Sequence, residues 1–256
     1  MRMTAENFRK LTGFMFIITP LWLFANSRVL GIVSGFPNIQ NAGVDELLTR
    51  VHQSGTTGIL VWYLYIVPGV LYMASIAMFH KVLEPERIPW LGVATSIGIT
   101  AWAIQFFGLV RWIFVYPYLA DLWVGSPNDA SKRATVEIVF NAFNNYAGYA
   151  LGQTIGIGLT ALWILLVGIA IKKSPLFKPW LGYVAIFVAI GEFIGNLGPL
   201  GSVVPALNDY IEPLFNVSGL FWYISYAWMA YLGIIMVRAP VDVYDELTTE
   251  ATPIGA

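Results

Sequence analysis

The sequence contains no cysteine and only two histidines, so several kinds of chemistry are excluded at the outset. Without cysteine there is no disulfide bond, no iron–sulfur cluster and no thiolate nucleophile. His52 and His80 fall at opposite ends of one predicted membrane span, which argues against a bis-His haem and against a His-rich metal centre. We therefore predict no metal site and no bound cofactor.

Motifs that mark several enzyme classes are also missing. There is no Walker lysine loop, no HExxH pair and no Gly-x-Ser-x-Gly elbow. No lysine lies within an apolar run, which excludes a retinal Schiff base. The 14 Lys and Arg residues are scattered and the formal net charge is -1, so no basic face exists for a nucleic-acid partner.

Charged residues are scarce throughout the chain, at 11%, whereas hydrophobic residues make up 57% and the mean hydropathy is +0.68. A soluble domain would carry about 25% charged residues. We predict an all-α, polytopic transmembrane bundle with six spans, because a span needs about 20 apolar residues. The six charge-free stretches are residues 11–27, 56–79, 90–110, 148–171, 180–200 and 216–237. Residues 1–240 then form one transmembrane domain, followed by an acidic, mobile tail at 241–256.

Lys and Arg residues favour one orientation of this bundle. Six spans place both termini on one side, which carries nine Lys and Arg residues against five on the other side. The positive-inside rule then predicts cytoplasmic termini, in what we expect to be a bacterial inner membrane. Aromatic residues at the predicted boundaries would act as interfacial anchors. They are Trp90 and Trp180 inside, and Trp62, Tyr63, Trp112, Tyr116, Trp222 and Tyr223 outside.

The outer connections are predicted to contain amphipathic helices. Ser126 and Pro127 are typical of an N-cap and a first helical position. The apolar stripe that follows predicts a helix on the outer surface or one that continues into span four. Its members are Val136, Val139, Phe140 and Phe143. Residues 44–51 show a shorter pattern of the same kind.

Two further patterns concern how the helices are arranged. The motif Pro89-Trp-Leu-Gly92 recurs as Pro179-Trp-Leu-Gly182, which indicates either a repeated helical hairpin or simply a good helix start at the inner face. Glycines recur at a spacing of four, which lets helices approach closely in lipid. They are Gly148, Gly152 and Gly156 on span four, and Gly191 and Gly195 on span five. These glycine faces serve either contacts within the monomer or a homo- or hetero-oligomer.

Glu192 lies inside an apolar run, where a carboxylate is costly and usually faces the interior of a bundle. At a rise of 1.5 Å per residue, Glu192 lies roughly 18 Å from the inner boundary. Depths calculated in the same way place the other polar residues at two levels in the membrane. The lower level holds Glu192, Gln105, Thr160 and Tyr226, and the upper holds Arg111, Gln153, Tyr149, Asn145 and Arg28, with Asn196 between them. This arrangement predicts a ligand-binding polar cavity that opens outward above Glu192.

Structural alternatives exist for the same residues. Glu192 could be a protonated, hydrogen-bonding strut, and Arg111 could be a snorkelling interface residue. A direct salt bridge between the two is not expected, because the counting separates them by roughly 13 Å along the membrane normal.

The stretch from Ile169 through Lys172-Lys-Ser-Pro-Leu-Phe-Lys-Pro179-Trp-Leu-Gly182 resembles a bacterial membrane-protein family known as domain of unknown function 4386. That family shows a short basic inner loop, a proline, and then Leu-Gly at the start of one of its last helices. Arg9-Lys-Leu-Thr-Gly13 and the tract around Tyr146 are also similar to it. The resemblance implies a bundle of about six spans with no assigned activity, and it carries over no catalytic residue.

Three functions fit these observations. The first is binding or translocation of a small solute or lipid, with Glu192 as a proton or cation site. The second is an accessory subunit that docks partner membrane proteins, which predicts a dry and fully packed interior. The third, a membrane-embedded enzyme on a lipid-like substrate, has the least support because no nucleophile–base pair or metal set is visible.

Overall fold

The computed structural model describes residues 3–83, 88–202 and 204–240, in which every regular element is helical. The predicted tail, residues 241–256, lies outside these ranges, as do Arg2 and Arg87 of the charge count. The α-helices are α1 (Ala5–Ser34), α2 (Val44–Val82), α3 (Leu91–Leu109), α4 (Arg111–Phe114), α5 (Tyr116–Val124), α6 (Ala130–Phe143), α7 (Gly158–Ile171), α8 (Pro179–Gly195) and α9 (Asn208–Arg238). A π-helical segment, Asn144–Ile157, joins α6 to α7 without a break, and 3-10 turns occupy Asn38–Asn41, Gly198–Ser202 and Pro205–Leu207.

Six helical stretches of the described chain are long and apolar enough to cross a membrane. They are Ala5–Ser34, Val44–Val82, Leu91–Val124, Ala130–Ile171, Pro179–Gly201 and Gly219–Arg238. Each overlaps one predicted span, so the prediction of an all-α, six-span helical bundle is confirmed.

The spanning helices form a closed ring. Each one packs against the next along the chain, and α9 returns to pack against α1. Glycines allow this last contact, because a Cβ on Gly13 would lie 2.7 Å from the carbonyl oxygen of Gly233. At the end of the ring where α1 begins and α9 ends, Arg9 Nη2 donates to the Ala239 carbonyl oxygen at 2.8 Å. We call this end of the bundle the terminal end and the opposite end the distal end.

Structured connections cover the distal end. The first part of α2 buries Leu47, Leu48 and Val51, as the amphipathic pattern predicts. Gly55 then takes a φ of 49°, which only glycine adopts readily, and α2 changes direction there. Beside it, α5 packs on α2 and α6 packs on α5, which places short helices over this end of the ring.

Two details of the predicted outer helix need correction. The helix begins at Ala130, and its N-cap is Asp129, whose carboxylate accepts from the Lys132 amide at 2.9 Å. Ser126, the predicted N-cap, lies in the preceding turn. Val136 and Phe140 are buried as predicted, but Val139 is half-buried and Phe143, the last residue of α6, is exposed. The alternative in which this helix continues into span four is the one observed.

The glycine stripe Gly148, Gly152 and Gly156 packs against α3 within the same chain. A Cβ on Gly156 would meet the Gln105 side chain, and one on Gly152 would lie 3.7 Å from the Gly108 Cα. On α8, Gly191 lies against the Phe221 ring of α9, and Gly195 is buried. Both glycine faces therefore serve contacts inside the monomer, while oligomer formation stays a prediction.

The predicted aromatic anchors divide into three groups, of which Trp90 and Trp222 form the half-buried one. Trp180, Tyr63 and Tyr223 are exposed, as anchors would be. Trp62 and Trp112 are buried instead, with their rings stacked at a centroid distance of 4.4 Å. The anchor prediction is wrong for this pair and for Tyr116, which has no exposed surface. These rings form the apolar contact between α2 and the α4–α5 connection.

The recurring Pro-Trp-Leu-Gly motif occupies two different environments. Gly182 lies against the backbone of Gly168 on α7, whereas a Cβ on Gly92 would meet no atom within 4 Å. The two copies share a position near the start of a helix but not a packing role. This difference favours the interpretation of the motif as a good helix start.

Candidate functional site

A cavity of about 730 Å³ lies in the centre of the ring. All six spanning stretches line it, through Arg28, Tyr72, Gln105, Thr160, Glu192 and Tyr226 among others. Lining residues towards the distal end, such as Arg28, Gly219 and Tyr223, are exposed, whereas those around Glu192 are buried. The cavity therefore has its mouth at the distal end and a closed floor inside the bundle.

Glu192 forms part of the floor, with a side chain that is 1% exposed. Ser225 on α9 is its hydrogen-bonding neighbour, and Oε2 of the carboxyl group has no partner among the described residues. The Ser225 hydroxyl donates its single proton to the Trp222 carbonyl oxygen at 2.8 Å.

Polar side chains from α2, α3, α7 and α9 surround the floor. Gln105 Nε2 donates to the Thr160 hydroxyl at 2.9 Å, and that hydroxyl donates to the Gly156 carbonyl oxygen at 3.0 Å. Tyr226 and Tyr65 are hydrogen-bonded to each other. The four residues predicted for the lower level all line the cavity, so the structure brings this group together.

The sequence reasoning missed several floor residues: Tyr65, Tyr72, Trp102 and Ser225. A signal was present for two of them, because Tyr65 and Tyr72 are seven residues apart and share one face of α2. Ser225 directly precedes Tyr226 and lies in the middle of an apolar run. A single serine is tolerated there at little energetic cost, so its presence does not indicate a site. Trp102 offers no such signal, because a tryptophan within a span is ordinary.

Arg111 lies at the upper level and is 5% exposed. Its Nε donates to the Tyr116 hydroxyl at 2.8 Å, Nη1 donates to the Gly108 carbonyl oxygen, and Tyr116 in turn donates to Asn144 Oδ1 at 2.8 Å. Burial and these bonds are inconsistent with a snorkelling role, in which the guanidinium would reach water. The side chain instead lines the cavity.

Gln153 and Arg28 complete the lining of the upper level. Gln153 is 8% exposed, and its Nε2 donates to Gln40 Oε1 at 3.3 Å while its own Oε1 has no partner. Gln40 belongs to the connection between α1 and α2, a region from which no site residue was predicted.

Three predicted residues do not line the cavity. Asn145 is exposed, and the amide that joins the Arg111 network is that of its neighbour Asn144. Tyr149 is half-buried and hydrogen-bonded to Asn144. Asn196 was expected on the face of Glu192, but α8 ends at Gly195 and the Asn196 amide turns to donate to the Thr154 carbonyl oxygen at 2.9 Å.

The charges around the cavity are unevenly distributed. Among the residues that the structure describes, its lining contains two arginines, Arg28 and Arg111, and one acidic residue, Glu192. Neither arginine forms an ion pair with a described residue. Among the described residues no group of three His, Cys, Asp or Glu side chains is placed to hold a metal ion. The cavity therefore offers hydrogen-bonding groups, one carboxyl group and unpaired positive charge.

The sequence from residue 11 to residue 237 matches the model of the family described as Domain of unknown function (DUF4386). The match covers most of the chain, so this protein belongs to that family. No curated protein and no solved structure shows a significant match.

Proposed function

We propose that this member of the DUF4386 family binds or translocates a small solute or a lipid through its central cavity, with Glu192 at the floor. The observation that supports this proposal is the cavity of about 730 Å³, to which every spanning stretch contributes a side chain. Ligand sites typically occupy about 300–1,000 Å³ and combine apolar walls with a few converging polar groups. The floor and the upper level supply such groups.

The buried carboxyl group supports a functional role for the floor. Glu192 has one hydrogen-bonding neighbour, and Oε2 has none. An ionisable group inside a membrane protein is expensive and usually belongs to a ligand or proton pathway. A purely structural strut would have both oxygens satisfied, because an unpaired buried polar atom costs stability. A ligand or water in the cavity would provide the missing partner.

We also propose that the termini face the cytoplasm of a bacterial inner membrane, as the distribution of Lys and Arg favours. The mouth at the distal end would then open to the outside. The accessory-subunit hypothesis predicts a fully packed interior, and the presence of the cavity argues against it. The enzyme hypothesis has the least support, because no group of three His, Cys, Asp or Glu side chains gathers among the residues that the structure describes.

Two glycines provide a matched test of cavity binding. Gly219 lines the mouth, and a Cβ there would meet nothing within 4 Å, so Gly219→Trp places a ring in the cavity without a backbone clash. Gly92 is equally open but does not line the cavity, which makes Gly92→Trp the control. With dodecanol as the probe and native mass spectrometry as the readout, Gly219→Trp should weaken binding at least tenfold. Equal binding by both variants and the parent protein would contradict the proposal.

Reaction of Glu192 with dicyclohexylcarbodiimide tests access to the floor. This apolar reagent modifies protonated carboxyl groups, and peptide mass spectrometry locates the adduct. We expect labelling of Glu192 that Gly219→Trp slows and Gly92→Trp leaves unchanged, with Glu192→Gln as the blank. Labelling at the same rate in both tryptophan variants would mean that the reagent does not arrive through the mouth.

A further inference from the structure

We infer that the ligand of the central cavity is an amphipathic molecule with an anionic head group, a carboxylate or a phosphate, which Arg111 and Arg28 bind near the mouth. The inference rests on the proposed function and specifies the chemical class of its ligand.

Arg111 is built into the wall as a buried cation. Its hydrogen bonds go to the neutral Tyr116 hydroxyl and the Gly108 carbonyl oxygen, and no described carboxylate pairs with it. Its third nitrogen, Nη2, has no hydrogen-bond acceptor among the described residues. Gly148 makes room for that nitrogen, because a Cβ there would lie 2.7 Å from it. A buried guanidinium without a counter-charge is costly, and an anion in the cavity would supply both the charge and the acceptor.

The neighbouring side chains of the cavity lining have matching chemistry. Arg28 lines the mouth and makes no hydrogen bond or ion pair with any described residue. Gln153 and Gln40 lie on the same lining and have amide groups whose hydrogen-bonding capacity is only partly used. Arginine and amide N–H groups are suitable donors for carboxylate and phosphate oxygens.

Two acidic residues at the distal end, Asp45 and Asp121, have partners outside the cavity. Asp45 accepts from Arg133 at 2.7 Å and from the Trp123 indole at 2.8 Å. Asp121 is paired with His52 at 2.9 Å. None of these residues lines the cavity, whose one described acid is Glu192 at the floor. The positive charge of the upper level is therefore not neutralised from within the described protein.

Below the arginines the cavity has apolar surface that continues to the floor, and this surface selects an amphipathic anion over a free one. Tyr72 and Trp102 stack at a centroid distance of 4.2 Å, and Leu109 and Ile157 line the same space. An inorganic ion would leave this aromatic and aliphatic surface uncovered. A hydrocarbon chain would cover it, since burial of apolar area is favourable.

Binding of two twelve-carbon probes to the purified protein tests the inference. Dodecyl phosphate and dodecanol share a chain and differ in the head group, and native mass spectrometry in a neutral detergent measures both. We expect dodecyl phosphate to bind at least tenfold more tightly, and Arg111→Gln and Arg28→Gln each to reduce that preference. Lys132→Gln removes an exposed cation that does not line the cavity, and it should change nothing. Arg28 is exposed, so its variant remains informative if Arg111→Gln fails to fold.

The possible outcomes separate the two proposals. Equal binding of both probes would overturn the anionic head group but leave cavity binding intact. Binding of neither probe would overturn the proposed function, and the present inference with it. Inorganic phosphate that displaces dodecyl phosphate at equal concentration would overturn the amphipathic part. An equal loss of preference in Lys132→Gln would show that general surface charge, and not the arginine pair, attracts the anion.

Discussion

Gly108 provides a sharp test of how α3 meets the π-helical segment. A Cβ on Gly108 would lie 2.7 Å from the Ala147 carbonyl oxygen and 2.9 Å from the Gly152 Cα, both of them backbone atoms that cannot rotate away. Gly108→Ala therefore forces two helices apart, and such overpacking costs about 1–3 kcal/mol. Gly92 on the same helix has open space, so Gly92→Ala should be neutral or stabilise by up to about 1 kcal/mol.

Thermal unfolding monitored by tryptophan fluorescence in one detergent measures this difference. At about 2–4 °C per kcal/mol for a chain of this size, Gly108→Ala should lower Tm by about 2–12 °C. Gly92→Ala should leave Tm unchanged or raise it by a few degrees. Equal Tm values for the two variants would refute the close contact that places Gln105 and Arg111 against the glycine stripe of the opposite wall.

Two other substitutions test features that the sequence did not reveal. Asp129→Ala removes the N-cap of α6 and should lower the free energy of unfolding by about 1 kcal/mol. Asn128→Ala, at the neighbouring position, should change it little. Chemical denaturation of both variants decides whether the helix begins where the structure places it. Trp228→Phe removes the buried hydrogen bond from the indole to the Leu181 carbonyl oxygen, worth about 1 kcal/mol. Trp180→Phe, in an exposed ring, is its control, and equal Tm values for these two would argue against the α8–α9 contact.

The helices could be predicted from sequence because a long charge-free run inside a bilayer has few structural alternatives to an α-helix. Depth arithmetic also grouped Glu192, Gln105, Thr160 and Tyr226 correctly, since each lies on a regular α-helix with a constant rise. Which end of the bundle faces the cytoplasm stays a prediction, as do the membrane and the limits of the domain.

Gln153, in the π-helical segment, lines the cavity as predicted, but the same counting failed for two other residues of that segment and for one residue beyond the end of a helix. In the π-helical segment each N–H bonds to the carbonyl five residues back, which changes the face on which a residue lies. Asn145 and Tyr149 occupy that segment, and the sequence contains no proline or other signal that announces it. Asn196 was assigned to a helical face that stops one residue earlier. Gln40 reaches the cavity from a connection, so periodicity could not have found it.

The closed ring has a consequence for how the protein assembles. Five of its six interfaces join helices that are neighbours along the chain, so they can form as each hairpin enters the membrane. The contact between α1 and α9 at Gly13 and Gly233 joins opposite ends of the sequence and must wait for synthesis of the last helix. Until this contact forms, the ring is open between α1 and α9 and the cavity has no complete wall. Insertion of α9 is therefore the step that closes the ring and completes the wall of the cavity.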